Sequence, residues 1–420
     1  MAARSYDVIV VGARAAGAAT AMLLARAGLK VLAVDRARFP SDTLSTHAIQ
    51  LTGVSRLKRW GLLDRLATAG TPATREVRFD LEYAVLQGRF PEFDGVDELH
   101  CPRRTVLDAL LVDAAREAGA EIRENITVEE LTWDGKRVSG IRARERAGPS
   151  FGEQARLVIG ADGKHSFVAN AVGAPVYRRV PLSSFASYAY WSGTNISGEI
   201  HQRPGHAVVA AFPTNHDLAV IFVSAPLAEF ARFRTDVEGH YLKILDRCGD
   251  LADRVRAGQR AERFRTTPDL PHQFRVPHGP GWALVGDAGL VLDPVSAQGI
   301  SQSFRDAELL TEAVTAAREQ GKPLDAQLAQ YHQRRDTAAR PMFDFTTRLA
   351  EFALPSPRQR LLMSAIAERP EQVQRFLGVF AGAIPQEQLF SVRSAVRLLG
   401  ARGLVRAAAA VTGRAPARVR

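Results

Sequence analysis

Short apolar runs alternate with helix-period stretches through the first third of the chain. Tyr6 to Val11 is β-branched and apolar after Asp7, the pattern of a strand buried on both faces. Ala18 to Ala27, rich in Ala and Leu, predicts a helix ended by Gly28, and Lys30 to Val34 predicts a second strand closed by Asp35. A strand from Ala155 runs into Gly160, Asp162 and Gly163, and one from Gly281 runs into Gly286 and Asp287. The second leads through Asp293, Pro294 and Gly299 into a helical pattern from Ile300 to Arg318. Arg104 opens an amphipathic helix, Thr105 to Ala118, stopped by Gly119. Elsewhere Glu76 to Glu82 alternates with period two and Tyr83 to Arg89 continues it, and Phe185 to Trp191, His206 to Phe212 and Leu218 to Val223 read as further strands. Gly193, Gly205 and Asn215-His216 supply the turns. These strands predict one antiparallel sheet, with one face packed and the other toward a ligand.

The first of these patterns has a specific chemical meaning. Strand, Gly12-Ala-Arg14-Ala15-Ala16-Gly17, helix, strand and acid form a Rossmann dinucleotide fingerprint, with Asp35 lying 18 residues after Gly17. Gly12 permits the tight turn and Gly17 lets helix and sheet approach. The helix N-terminus offers free N–H groups to a pyrophosphate, and Asp35 can accept from ribose hydroxyls. Arg14 stands where the pattern has its middle glycine.

Three ordered motifs, Gly12 to Gly17, Asp162-Gly163 and Gly286-Asp287, make residues 5–345 resemble the FAD-dependent monooxygenases of the para-hydroxybenzoate hydroxylase type. Their relatives are the geranylgeranyl reductases and the flavin-dependent halogenases. The resemblance implies that Asp287 binds the ribityl chain of FAD. It implies that Asp162 and Gly163 support the pyrophosphate region, that Arg104 sits near the phosphates or ribityl, and that Val128 contacts adenine. Arg36 and Arg38 follow Asp35, where they can pack on adenine or pair with phosphate. The resemblance also implies that the loop of Pro294, Gly299 and Ile300 lies beside the isoalloxazine ring, where a helix N-terminus would stabilise negative charge on reduced flavin. His47, in the polar segment after the second strand, is a candidate acid or base. Tyr188, Tyr190, Trp191 and Phe212 are candidate substrate contacts.

The sequence departs from its relatives in places. Gly289 and Leu290 replace a common histidine site, Ala169 replaces a common arginine, and the halogenase WxWxIP signature is absent. The Tyr-x-Trp-x-Phe-Pro pattern of the geranylgeranyl reductases is absent too.

The expected fold is α/β, α+β overall. Residues 1–74, 98–176 and 263–344 would form a discontinuous Rossmann-like FAD-binding domain. Residues 75–97 and 177–262 would form an inserted antiparallel-sheet substrate domain, and residues 345–420 a helical region broken at Pro355 and Pro357. The expected activity is oxygenation of a small organic substrate with NAD(P)H and dioxygen, through a flavin C4a-hydroperoxide. The alternatives are a reductase or dehydrogenase acting on a carbon–carbon double bond, and a flavin-containing sensor or binding protein.

Composition adjusts this reading only slightly. The 420 residues are 46% hydrophobic and 24% charged, in the globular range. The net charge is +10, which invites a nucleic-acid reading. Yet Arg393, Arg397, Arg402, Arg406, Arg414, Arg418 and Arg420 crowd into the last thirty residues with no acid among them. No helix-turn-helix, zinc finger or RNP-like pattern accompanies them, so no nucleic-acid partner is expected. Cys101 and Cys248 are the only cysteines, which points to a reducing, cytoplasmic setting. No stretch reaches the roughly 20 apolar residues a membrane span needs, and no metal-ligating spacing appears.

Overall fold

The computed structural model describes residues 5–399, apart from Thr46, Ala147, Val392, Ala395 and Arg397. Of the basic C-terminal arginines, only Arg393 falls among the described residues. The first sheet is built on parallel strands in the order Trp282–Leu284, Ser150–Gly160, Ser5–Val11, Val31–Val34 and Glu121–Arg123. Alternation along Ser5–Val11 explains why it sits centrally. Val8 and Val10 join the large core, whereas Ile9 and Val11 join a second apolar cluster on the other face. Both faces are therefore covered, as parallel sheets require. Helix Ala15–Arg26 packs over the first face with helices Arg104–Glu117 and Gly299–Glu319. An antiparallel pair, Ile126–Asp134 and Arg137–Glu145, pairs with the outer half of Ser150–Gly160.

The second large sheet runs Gln259–Arg260, Ser184–Ser192, Leu218–Pro226, Ala207–Thr214, Glu199–Arg203, Glu76–Asp80 and Val85–Arg89. It is antiparallel except where Glu199–Arg203 meets Glu76–Asp80. Both of its faces are buried. Tyr188, Tyr190, Phe212, Val220 and Phe222 point into the large core, and Phe185, Ala189, Trp191 and Ile221 pack beneath helices Val237–Leu245 and Leu251–Ala257. A separate three-stranded sheet joins Val176–Val180, His272–Arg275 and Leu290–Val291.

After the long helix Leu324–Ala350, Ser356 and Gln359 form a capping box that starts helix Pro357–Ala367. Helix Pro370–Phe380 then lies across the edge of the second sheet. Its Phe376 and Phe380 meet the Phe79 ring edge-on at 5.2 and 5.0 Å. Among the described residues no helix is long and apolar enough to cross a membrane.

Candidate functional site

The turn after the first strand is held by backbone geometry. Gly12 has φ +98° and its N–H donates to Val34 O at 2.8 Å. A Cβ at Gly17 would lie 1.8 Å from Gly12 O, so only a hydrogen atom fits there. No side chain caps the start of helix Ala15–Arg26. Its first N–H groups therefore project partial positive charge at Ala15, Ala16 and Gly17, as an anion site requires. Asp35, buried at the end of the second strand, accepts from Ala13 N and Ala37 N, both at 2.7 Å. Each of its oxygens keeps a second lone pair for a further donor. Ile126 N donates to Asp35 O, which sets the strand carrying Val128 beside it. Arg36 and Arg38 are exposed.

Arg14 leaves this turn altogether. Its guanidinium donates to Asp108 Oδ2 at 2.7 Å, to Ser41 Oγ at 2.9 Å and to Ser41 O at 3.2 Å. Asp108 is fully buried and also accepts from Arg104 Nε and Nη2. The departure from the fingerprint is thus a clamp between the nucleotide helix and the segment leading to His47.

The Asp287 turn closes over the same helix. Gly286 has φ +59°, and a Cβ there would sit 2.7 Å from the Ala16 methyl. Asp287 is exposed, and its carboxylate accepts no hydrogen bond among the described residues. Desolvation by the surrounding protein raises its pKa to about 6, with Arg104 and Lys164 pulling it down. Downstream, Asp293 Oδ1 accepts from Val295 N at 2.9 Å and Oδ2 from the Ser184 hydroxyl, tying the Pro294 loop to the second sheet. Ala297 is left-handed at φ +53°, and the inner helix Gly299–Glu319 starts without a side-chain cap at Gln298. Gly299 faces open space, and Ile300 is buried.

Asp162 lies against the Gly12 turn, its backbone N 3.0 Å from where a Gly12 Cβ would be. Its carboxylate accepts from the Ser166 hydroxyl at 2.5 Å and Val168 N at 3.1 Å, beside Ser166, the N-cap of the short helix Phe167–Ala171. Gly163, at φ +82°, makes the turn.

His47 is fully buried at φ +66°. Its Nε2 shares a 2.6 Å hydrogen bond with the Tyr190 hydroxyl, and Nδ1 has no partner. The Tyr188 and Tyr190 rings meet it edge-on at 5.1 and 5.4 Å. Burial first, then Arg104, Arg103 and Arg265, lower its pKa to about 3. Burial and these three cations therefore favour the neutral ring. Trp191 does not join this group. Alternation along the strand sends it to the opposite face, stacked on Tyr241 with centroids 6.4 Å apart. Phe212 does face inward, lining a cavity between the second sheet and the Pro294–Ala297 loop.

Several residues here have no strong sequence signal. Arg103 lies over the Tyr190 ring at 4.4 Å, and Arg265 pairs with Asp42 at 2.8 Å. Asp108 alone was findable, since it stands four residues after Arg104, the spacing of a helical ion pair.

The glycine-only cradle, the uncapped helix, Asp35 and the unbonded Asp287 carboxylate fit FAD. Comparison with known proteins agrees. Residues 5–346 match the FAD binding domain family model FAD_binding_3. The chain is 25% identical over 346 residues to a tryptophan 2-halogenase of Chondromyces crocatus, spanning 74% of this chain and 61% of that enzyme. It is 26% identical over 321 residues to a menaquinone reductase of Mycolicibacterium smegmatis, spanning 74% and 76%. The myxobacterial chondrochloren halogenase CndH shares the fold with a TM-score of 0.76 at 20% identity, covering 99% of this chain and 98% of that one. The chain belongs to this FAD-binding family of oxidoreductases, and FAD is its cofactor.

Proposed function

We propose that the protein is a monooxygenase that uses NAD(P)H and dioxygen to oxygenate a small, uncharged organic substrate. One observation carries the reading: the cavity against the Pro294–Ala297 loop is walled by Phe212, Phe222, Val220, Ile200 and Phe380 and contains no charged side chain. A lining of this kind favours contact with an apolar group over water. In this reading Gly12, Ala15, Ala16 and Gly17 hold the pyrophosphate, while Asp35, Arg36 and Val128 surround the adenosine. Arg104, Gly286 and Asp287 take the ribityl side, and Asp162 and Gly163 shape the neighbouring turn. Pro294, Gly299 and Ile300 border the ring system. Bound FAD supplies the chemistry of carrying an electron pair from NAD(P)H to dioxygen.

The protein's own part is positioning and proton handling. Tyr190, its pKa raised by burial, keeps its proton and is held against neutral His47. Tyr188 and Phe212 orient the substrate beside them. The same reading divides the chain into a cofactor domain of residues 1–74, 98–176 and 263–344, a sheet domain of residues 75–97 and 177–262, and helices from 345.

The test is isotopic. Turnover of holoenzyme under 18O2 is expected to place one labelled oxygen in the product for each NAD(P)H consumed. Anaerobic turnover that saturates a double bond would replace this reading with a reductase. Flavin that is never reduced by NAD(P)H would favour a binding protein.

A further inference from the structure

The apolar cavity has one polar side chain in its lining among the described residues, Gln50. Its position is rigid. Gln50 N donates to Ser301 Oγ at 3.0 Å. Three residues on, a Cβ at Gly53 would come within 2.5 Å of the same Ser301 Oγ, so helix Leu51–Arg59 presses directly on the inner helix. Gln50 occupies the N-cap of that helix, yet its side chain makes no cap hydrogen bond. It is 2% exposed, and its Oε1 has no hydrogen-bond partner.

A buried amide left unsatisfied costs about 1–3 kcal/mol. Neither the helix nor a neighbouring side chain removes that cost here. The amide borders a chamber otherwise made of Ile200, Val208, Phe212, Val220, Phe222 and Phe380, with small apolar residues between them. We infer that Gln50 is the specificity-determining residue of this cavity, and that its amide anchors a single neutral polar group, a hydroxyl or an amide, on an otherwise apolar substrate. A carboxylate is disfavoured, because the lining offers no cation to pair with it and burying an unpaired charge is costly. A hydrocarbon lacking the polar group is disfavoured because it leaves the amide unpaired. The inference rests on the reading of this cavity as the substrate site.

The experiment uses FAD-loaded enzyme and three probes of one shape: 4-ethylphenol, 4-ethyltoluene and 4-ethylbenzoate, titrated by calorimetry. 4-Ethylphenol is expected to bind at least about tenfold tighter than either of the others. Gln50→Leu is expected to bring the phenol down to the toluene's affinity while FAD content and the flavin spectrum stay unchanged. Gln50→Met, which keeps the length without the amide, should repeat that result and covers the case in which Gln50→Leu fails to fold. An unchanged phenol-to-toluene ratio in the folded variant overturns the inference. So does a loss of FAD affinity with the preference intact, which would give the amide to the cofactor, and so does failure of both neutral probes to bind. Binding needs no turnover, so the two readings fail separately. A preference that depends on Gln50 without isotope incorporation sinks the oxygenase and spares the anchor. Incorporation with a preference indifferent to Gln50 does the reverse.

Discussion

Gly17→Ala is the most direct challenge to the nucleotide turn. The added methyl would sit 1.8 Å from Gly12 O, 2.8 Å from Gly12 C and 3.1 Å from the Ala161 Cβ. Reaching an ordinary contact requires a displacement of roughly 1.5 Å. Gly12 has nowhere to go. Its N–H is bonded to Val34 O, and the space beside its own Cα is closed by Ala161 O, 2.5 Å from where a Cβ would be. The helix start must therefore lift, carrying the N–H groups of Ala15 to Gly17 away from the phosphate position. Overpacking of this kind costs about 1–3 kcal/mol in a core that can adjust, and this one is backbone against backbone, so the upper end applies. About 3 kcal/mol corresponds to a loss of roughly a hundredfold in FAD affinity. Flavin-stripped protein titrated with FAD, followed by quenching of flavin fluorescence, measures this directly. Gly152→Ala, where the nearest atom to the new methyl is 3.9 Å away, serves as the control. If Gly17→Ala binds FAD as tightly as the parent, the turn does not hold the pyrophosphate and the site has been misplaced.

Three other outcomes follow from the geometry. Arg14→Gly should leave FAD affinity within roughly threefold, since Asp108 keeps its bidentate partner Arg104. Amide exchange across residues 41–47 should speed up, and loss of FAD instead would make the guanidinium a cofactor ligand. Asp287→Ala should weaken FAD by about 1–3 kcal/mol. Because desolvation raises Asp287 to about 6, parent affinity should fall as pH drops through that value and protonation removes an acceptor. Asp287→Asn should flatten the profile, and a parallel profile in that variant would assign the titration elsewhere. His201 is buried, which opposes its charging, but hydrogen bonds to Asp80 and Glu199 outweigh burial and raise its pKa. Its contribution to stability is therefore present in full below the unfolded value near 6.5 and is lost as pH rises through the folded one. Urea unfolding of His201→Gln should show a larger deficit at pH 6 than at pH 9, and an equal deficit would leave the charged pair without effect.

The cofactor half of the fold is legible because each of its signals is local. An apolar strand, a glycine turn and a helix lie consecutively along Tyr6 to Ala27, and backbone sterics at Gly12 and Gly17 impose the rest. The substrate side is legible only as strands. Period two shows that Tyr190 and Trp191 face opposite ways, but not which face joins the large core. That depends on helices Val237–Leu245 and Leu251–Ala257 covering the Trp191 side. Asp162 carries the family motif, yet its oxygens are taken by Ser166 and Val168, a local competition the motif does not announce. Gln50 is invisible in the sequence, because its importance arises from what fails to meet it in three dimensions.

Phe380 closes the cavity from a helix that lies beyond residue 346, where the family match ends. The frame for the shared cofactor and one wall of the chamber are thus written in separate stretches of sequence. A change in the last helices can resize the chamber, but Phe380 O also accepts from Gln298 Nε2 at 2.9 Å, at the start of the inner helix. Grafting residues 347–399 from a relative with a different substrate would exchange the stopper without rebuilding the flask. The stopper and the cofactor frame then meet at the hydrogen bond from Gln298 to the Phe380 carbonyl, and a replacement tail has to keep it.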